Sequence, residues 1–122
     1  MNWRSSPRWP VADEPEETPD GVAVFPLIPP ELGVDPLLLA VIHAVVFLSG
    51  SDDDVVNPDA SSEALEYMAT YLQQLQGERL RRVREDLTCL RTYGRQEKWP
   101  KQLTLFLKTF LADFGVGDES EA

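Results

Sequence analysis

Few side chains in this sequence could act as catalytic nucleophiles or bases, because it contains one histidine, His43, and one cysteine, Cys89. A catalytic histidine needs a nucleophile or a carboxylate within hydrogen-bond reach. The residues one helical turn away from His43, at positions 39, 40, 46 and 47, are Leu, Ala, Val and Phe, which offer neither. We therefore expect a buried histidine that hydrogen-bonds a backbone carbonyl, or one at an oligomer interface. Nothing in the sequence supports a Cys89–His43 nucleophile pair, and we predict no enzymatic activity.

The acidic stretch after Ser51 is the best candidate for binding a cation. Asp52, Asp54 and Glu63 occupy positions 1, 3 and 12 of an EF-hand calcium frame. Position 5 is valine, which has no side-chain oxygen, and position 6 is Asn57, where the motif requires glycine. We therefore expect a solvated loop followed by a capped helix, and we predict no metal ion and no cofactor.

Four arginines, Arg81, Arg84, Arg91 and Arg95, fall within about 80° of one another on a predicted helix. Guanidinium groups bind carboxylates or phosphates with two hydrogen bonds, so this row is a candidate strip for electrostatic docking. Acidic residues are interleaved with the row, and no base-stacking aromatic side chains accompany it. The alternatives are a solvated helix face, docking of the chain's own acidic loop or tails, and binding of nucleic acid.

Residues 1–20 are rich in proline and acidic residues and lack an aliphatic cluster, so we predict a flexible tail. Trp3 and Trp9 flank Arg4 and Arg8 in this segment. Tryptophan and arginine are typical anchors of binding interfaces, so these four residues are a candidate linear motif. Residues 117–122 are predicted to be a short acidic tail.

Charge is distributed unevenly along the 122 residues, whose net charge is −10. Residues 1–66 hold 13 acidic side chains against two arginines, whereas residues 78–101 hold eight basic side chains against four acidic ones. The overall charge repels nucleic acid, and the asymmetry suggests electrostatic pairing within the chain or with a partner. A single cysteine excludes an intrachain disulfide, and no secretory signal is evident, so we expect a cytoplasmic protein.

The run from Pro36 to Leu48 is apolar except for His43 and lacks the polar face of a surface helix. It is too short to span a bilayer, which requires about 20 apolar residues. Pro36 suits the first position of a helix, and Gly50 suits its end. The sequence therefore predicts a helix over about 36–49 that other parts of the protein, or another chain, must cover.

The remaining pattern predicts an all-α domain of three helices over residues 21–116, with an extended proline-rich arm at 21–34. Leucines and other apolar residues with 3-4-3 spacing occur on both sides of Gly77, and one glycine is too short to connect antiparallel helices. We therefore predict one long central helix over about 60–93, bent at Gly77. A third helix is predicted over about 100–114, with Gly115 as its left-handed terminating residue and Val116 as the apolar residue that follows.

Two short helices and the arm are expected to leave part of the first helix uncovered, and an exposed apolar patch usually marks an interface. The residues predicted to form this protein interface are Leu38, Val41, Ile42, Val45 and Leu48. We expect a protein–protein interaction module, either an adaptor or a subunit of a multiprotein assembly, that forms a homo-oligomer or has an obligate protein partner and does not bind membranes. One alternative is a helical subunit of a ribonucleoprotein complex that uses the arginine row. Another is an acidic inhibitor or immunity-type protein that uses Asp52–Asp54 and its acidic tail.

Overall fold

The computed structural model describes residues 20–116, which contain four α-helices and no strand. The all-α class predicted from the sequence is therefore confirmed for this part of the chain. Most of the predicted N-terminal tail and all of the predicted C-terminal tail, residues 1–19 and 117–122, lie outside the described residues. The helices are α1 (Pro36–Gly50), α2 (Pro58–Leu72), α3 (Gly77–Gln96) and α4 (Lys101–Asp113), and a 3-10 turn covers Pro30–Leu32.

The described residues form two compact units. Unit 1 contains residues 20–32 and 36–65, and therefore the arm as far as Leu32, α1 and the first half of α2. Unit 2 contains residues 33–35 and 66–116, and therefore the second half of α2 with α3 and α4. That residues 21–116 fold as one domain stays a prediction.

In unit 1, α1 begins at Pro36, the position predicted from its fixed backbone angle. The helix buries Leu38, Ile42 and Val45, which recur at the spacing of a single helical face. The arm between residues 22 and 29 has no regular secondary structure, as its prolines predict. Phe25 of the arm is 1% exposed, and its ring meets the His43 ring edge-on at 5.3 Å between centroids.

Hydrogen bonds connect the arm and α2 to the carboxyl end of α1. The Ala23 amide donates to Ser51 Oγ at 2.9 Å, and the Asp52 amide donates to the carbonyl of Gly21 at 2.7 Å. The hydroxyl of Ser61, a buried residue in the first turn of α2, donates to the carbonyl of Leu48 at 2.6 Å. Because the last carbonyls of a helix have no partner within it, this bond satisfies one that would otherwise lack a donor.

Asn57 and Pro58 begin α2. Asn57 Oδ1 accepts a hydrogen bond from the Ala60 amide at 3.0 Å, which is the arrangement of an N-cap, and Pro58 is the first helical residue. The sequence predicts this start at about residue 60, two residues later. Asn57, which breaks the EF-hand frame at position 6, is thus the residue that caps the helix.

The predicted single helix over 60–93 is wrong, because α2 ends at Leu72 and α3 begins at Gly77. The last turn of α2 tightens through hydrogen bonds from the amides of Gln74 and Leu75 to carbonyls three residues earlier. Gln76 is then extended, with φ −160° and ψ 167°, and Gly77 has φ +60°. The chain therefore leaves the helical path over several residues rather than bending at one glycine.

In unit 2, α3 packs against α4. Fully burying a leucine or phenylalanine side chain contributes about 1.5–3 kcal/mol to stability. The buried leucines and phenylalanines of α3 and α4 therefore dominate the stability of this unit. The ring of Phe110 contacts those of Phe106 and Phe114 edge-on, at 5.6 and 5.3 Å between centroids. The buried apolar residues of this unit's helices and their ends are Leu80, Leu87, Leu90, Leu107, Phe110, Leu111 and Val116.

Both α3 and α4 end in the same hydrogen-bonding motif. After α4, Gly115 has φ +73° and the Val116 amide donates to the Leu111 carbonyl at 2.9 Å, as the sequence predicts. After α3, the corresponding positive φ of 61° belongs to Lys98, and the Trp99 amide donates to the Gly94 carbonyl at 2.9 Å.

The helix α3 extends to Gln96, past the predicted end at about residue 93, and Gly94 lies buried inside it. A Cβ at Gly94 would lie 2.4 Å from Trp99 Cε3, which is closer than van der Waals contact allows. The glycine is therefore required because the Trp99 indole packs directly on the α3 backbone.

Asp86 is the one buried acidic residue of the described chain, at 6% exposure. Its Oδ1 accepts from Arg82 Nε at 3.2 Å, and its Oδ2 accepts from the Asp35 amide at 3.1 Å. Arg82 also donates to the Gly33 carbonyl at 3.2 Å. The hydrogen bond and the charge of Asp86 raise the pKa of Arg82, with smaller contributions from Asp35 and Glu85. This network attaches the 33–35 segment to α3.

Within residues 20–116, no helix combines the length and the apolar content that crossing a membrane requires.

Candidate protein-interaction surfaces

The structure corrects the predicted interface on α1. Leu38, Ile42 and Val45 are buried inside the chain, and Ile42 has no exposed surface at all. The two other predicted residues, Val41 and Leu48, are half-buried. The predicted set is therefore mostly core, because the sequence shows which residues are apolar but not which side of an all-apolar helix the rest of the chain covers.

Another face of α1 is exposed instead. Leu37 is 72% exposed, Phe47 is 40% exposed, Ala40 is exposed and Ala44 is half-buried. At about 100° per residue these four side chains lie within about 80° of one another, roughly opposite the buried face. We call Leu37, Ala40, Ala44 and Phe47 the α1 face. It contains no charged residue, and neither does the rest of α1.

The four arginines of the predicted docking strip have different environments. Arg81 is exposed and pairs with Glu78 one turn earlier. Arg95 is exposed in the last turn of α3. Arg84 and Arg91 are half-buried, and both line a groove between α3 and α4. The strip is therefore not a continuous row, and only its two middle members belong to one site.

This groove lies within unit 2 and has a volume of about 330 Å³. Arg84 and Arg91 are contributed by α3, and Lys108 is contributed by α4. We call it the α3–α4 groove. Its other lining residues are uncharged: Leu87, Thr88, Leu107, Leu111, Ala112 and Val116.

The electrostatics of the groove follow from that composition. Among the described residues, three cationic side chains and no acidic side chain line it. Neither of the salt bridges found within residues 20–116 involves Arg91 or Lys108. Leu87, Leu107 and Val116 are buried and form its apolar floor. Lys108 joins Arg84 and Arg91 only through the packing of α4 on α3, which local spacing does not predict.

His43 belongs to unit 1 and Cys89 belongs to unit 2. His43 packs on the Phe25 ring, and burial lowers the pKa of the imidazole from 6.5, so the neutral form is favoured. Cys89 is half-buried on α3. Among residues 20–116, no group of three or more histidine, cysteine, aspartate and glutamate side chains could hold a metal ion. Asp52, Asp53 and Asp54 are exposed.

The structure also exposes apolar and aromatic side chains that the sequence analysis did not select. Tyr67 and Tyr71 are 63% and 70% exposed, one turn apart on α2. The two tyrosines are four residues apart and lie outside the 3-4-3 apolar pattern, and this spacing is the sequence signal that they share an exposed helix face. Leu105 on α4 is also exposed. The proposed linear motif, Trp3, Arg4, Arg8 and Trp9, lies outside the described residues.

No protein-family model, no curated protein and no solved structure matches this chain.

Proposed function

We propose that this protein is a non-enzymatic protein–protein interaction module that works in a reducing compartment such as the cytoplasm. In this proposal it is a small adaptor or a subunit of a multiprotein assembly. The observation that carries the proposal is the α1 face, an uncharged apolar surface exposed along the length of a helix.

The composition of this face supports binding to protein. A helix that faces only water normally has charged or polar residues on that side. On α1 that side instead presents the large side chains of Leu37 and Phe47, separated by Ala40 and Ala44. Contiguous exposed apolar surface costs free energy in water and commonly marks a binding site. Phenylalanine is also enriched in interface cores.

We infer that the occupant of the α1 face is the same face of a second copy. Pairing like with like requires a surface without charge repulsion, and α1 has no charged residue. The small side chains of Ala40 and Ala44 allow two helices to approach closely. An antiparallel pair is favoured, because it places the acidic residues Asp52–Asp54 of each copy near the positive amino-terminal end of the other α1.

Sedimentation of the purified chain from low to high micromolar concentration tests this proposal. We expect a concentration-dependent dimer, and we expect Phe47→Glu to raise its dissociation constant at least about tenfold, because burying a phenylalanine contributes about 1.5–3 kcal/mol. Leu105→Glu is the matched control, since it places the same charge at an exposed apolar position on α4. This variant should dimerise like the wild type.

Two results together would contradict the proposal. One is a folded monomer across the whole concentration range. The other is binding of an apolar-surface dye that Phe47→Glu does not reduce, because the α1 face would then not be an accessible apolar surface. Equal loss of dimer in Phe47→Glu and Leu105→Glu would also reject the α1 face as the interface.

A further inference from the structure

We propose that the α3–α4 groove binds a short acidic segment of a partner protein, in which two carboxylates flank apolar residues. This inference does not depend on the α1 face, which belongs to the other unit. It assigns an interaction site and a ligand chemistry to unit 2.

Charge complementarity is the first argument. Arg84 and Arg91 lie on the α3 side of the groove and Lys108 lies on the α4 side, and none of the lining side chains among residues 20–116 is acidic. Cations clustered around an apolar floor favour a ligand that brings both carboxylates and an apolar side chain.

The size of the groove indicates the form of the ligand. A volume of about 330 Å³ is at the lower end of ligand pockets, so it holds a few side chains rather than a complete helix. Arg84 and Arg91 are seven residues apart, which corresponds to about 10 Å along the helix axis. In a polyproline II conformation, acidic residues three apart lie on the same side with a separation of about 9 Å. The expected motif is therefore acidic–apolar–apolar–acidic in an extended segment.

The same observations disfavour nucleic acid. The part of the groove lining that residues 20–116 contribute contains no aromatic side chain on which a base could stack. The chain has a net charge of −10, and Glu85 and Asp86 lie on α3 next to Arg84. A short carboxylate-bearing segment meets the three cations without bringing a long phosphate backbone near these acids.

Fluorescence anisotropy of a labelled peptide, Gly-Glu-Leu-Leu-Glu-Gly, titrated with the full chain tests the proposal. We expect saturable binding that weakens when the ionic strength is raised from about 0.05 M to about 0.5 M. The peptide with both glutamates replaced by glutamine should bind at least about fivefold more weakly. Arg91→Glu and Lys108→Glu should each weaken binding of the acidic peptide about tenfold.

Two variants serve as controls. Lys101→Glu reverses an exposed cation on α4 that does not line the groove, and it should change binding less than about twofold. Phe47→Glu should not change peptide binding, so a failure of the proposed dimer and a failure of this site are distinguishable. Circular dichroism spectra and unfolding midpoints of all variants establish that each remains folded.

Three outcomes would overturn the proposal. The first is equal binding of the glutamate and glutamine peptides, or equal loss in Lys101→Glu and Lys108→Glu. The second is binding of an oligothymidylate that Lys108→Glu abolishes while the peptide does not bind, which would identify a nucleic-acid site. The third is peptide binding only after the change of Asp118 to asparagine and of Glu119 and Glu121 to glutamine, because the chain's own segment would then be the occupant.

Discussion

At the scale of single residues, Lys98 carries a conformation that favours glycine. It terminates α3 with φ 61°, whereas Gly115 has the equivalent position after α4. Backbone strain costs a non-glycine residue in the left-handed region about 1–2 kcal/mol of stability. Replacing it with glycine recovers only part of this, because glycine is more flexible in the unfolded chain and loses more entropy on folding. We expect Lys98→Gly to raise the free energy of unfolding by about 0.5–1 kcal/mol in urea titrations. Lys98→Ala removes the charge without relieving the backbone, so it should not stabilise; equal stabilisation by both variants would refute this explanation.

Gly94 is a residue at which the usual effect of alanine should be reversed. Glycine to alanine within a helix normally stabilises by about 0.5–1 kcal/mol. A Cβ at Gly94, however, would lie 2.4 Å from Trp99 Cε3. We expect Gly94→Ala to lower the free energy of unfolding by about 1–3 kcal/mol, as overpacking does. In a Trp99→Ala background the same substitution should be neutral or stabilising, and an unchanged penalty there would show that the indole is not its cause.

His43 predicts a dependence of stability on pH. Because burial lowers the pKa of His43 in the folded protein below 6.5, the unfolded chain binds the proton more readily. This contribution to stability is complete above pH 6.5 and is lost as the pH falls through 6.5 towards the lower folded-state pKa. Urea titrations at several pH values from 7.5 to 5.5, about one unit on either side of the ordinary pKa of an imidazole, should show a decreasing free energy of unfolding. His43→Leu should flatten this profile, and an identical slope in the variant would exclude His43 as its source.

At the scale of helices, the first turn of α2 shows how one hydroxyl joins two helices within unit 1. Ser61 is buried and donates to the Leu48 carbonyl near the end of α1, whereas its neighbour Ser62 is exposed. Removing the donor leaves a part-buried carbonyl without this bond, so Ser61→Ala should cost about 1–3 kcal/mol in the free energy of unfolding. Ser62→Ala should change it by less than about 0.5 kcal/mol. Equal effects would mean that the bond to Leu48 contributes no stability.

Helix ends with local chemical signals were predictable, and a helix end without them was not. Pro36 at the start of α1 and Gly115 after α4 have conformations that their own side chains, or the lack of one, determine. The break between α2 and α3 depends on an extended Gln76, which no local preference indicates. The step of five between Leu75 and Leu80, which interrupts the 3-4-3 spacing, is the sequence signal of this break.

At the scale of the whole molecule, the candidate surfaces depended on tertiary structure more than the helices did. Periodicity cannot orient α1, because every side of it is apolar; hence the predicted residues Leu38, Ile42 and Val45 are core. Arg84 and Arg91 could be selected from the sequence as parts of a row. Their grouping with Lys108 required the packing of α4 against α3, since the residues come from different helices. Local spacing therefore identified the elements, and only the fold identified which side chains share a surface.

The charge distribution leads to a prediction for the chain as a whole. Residues 1–66 hold 13 acidic side chains against two arginines, and like charges at this density oppose a compact state. Sodium chloride screens them, with a Debye length of about 10 Å at 0.1 M, so added salt should raise the unfolding midpoint measured by circular dichroism.

Two neutralising substitutions test whether the acidic half is the source of this effect. Asp53→Asn removes a charge from the exposed acidic loop and should stabilise by up to about 0.5 kcal/mol at low salt. Glu85→Gln removes an acid that is also exposed but lies among the basic residues of 78–101, so it should destabilise by a similar amount. Both differences should shrink at high salt. If both variants were stabilised equally, net charge alone would account for the repulsion, and its uneven distribution along the chain would have no energetic consequence.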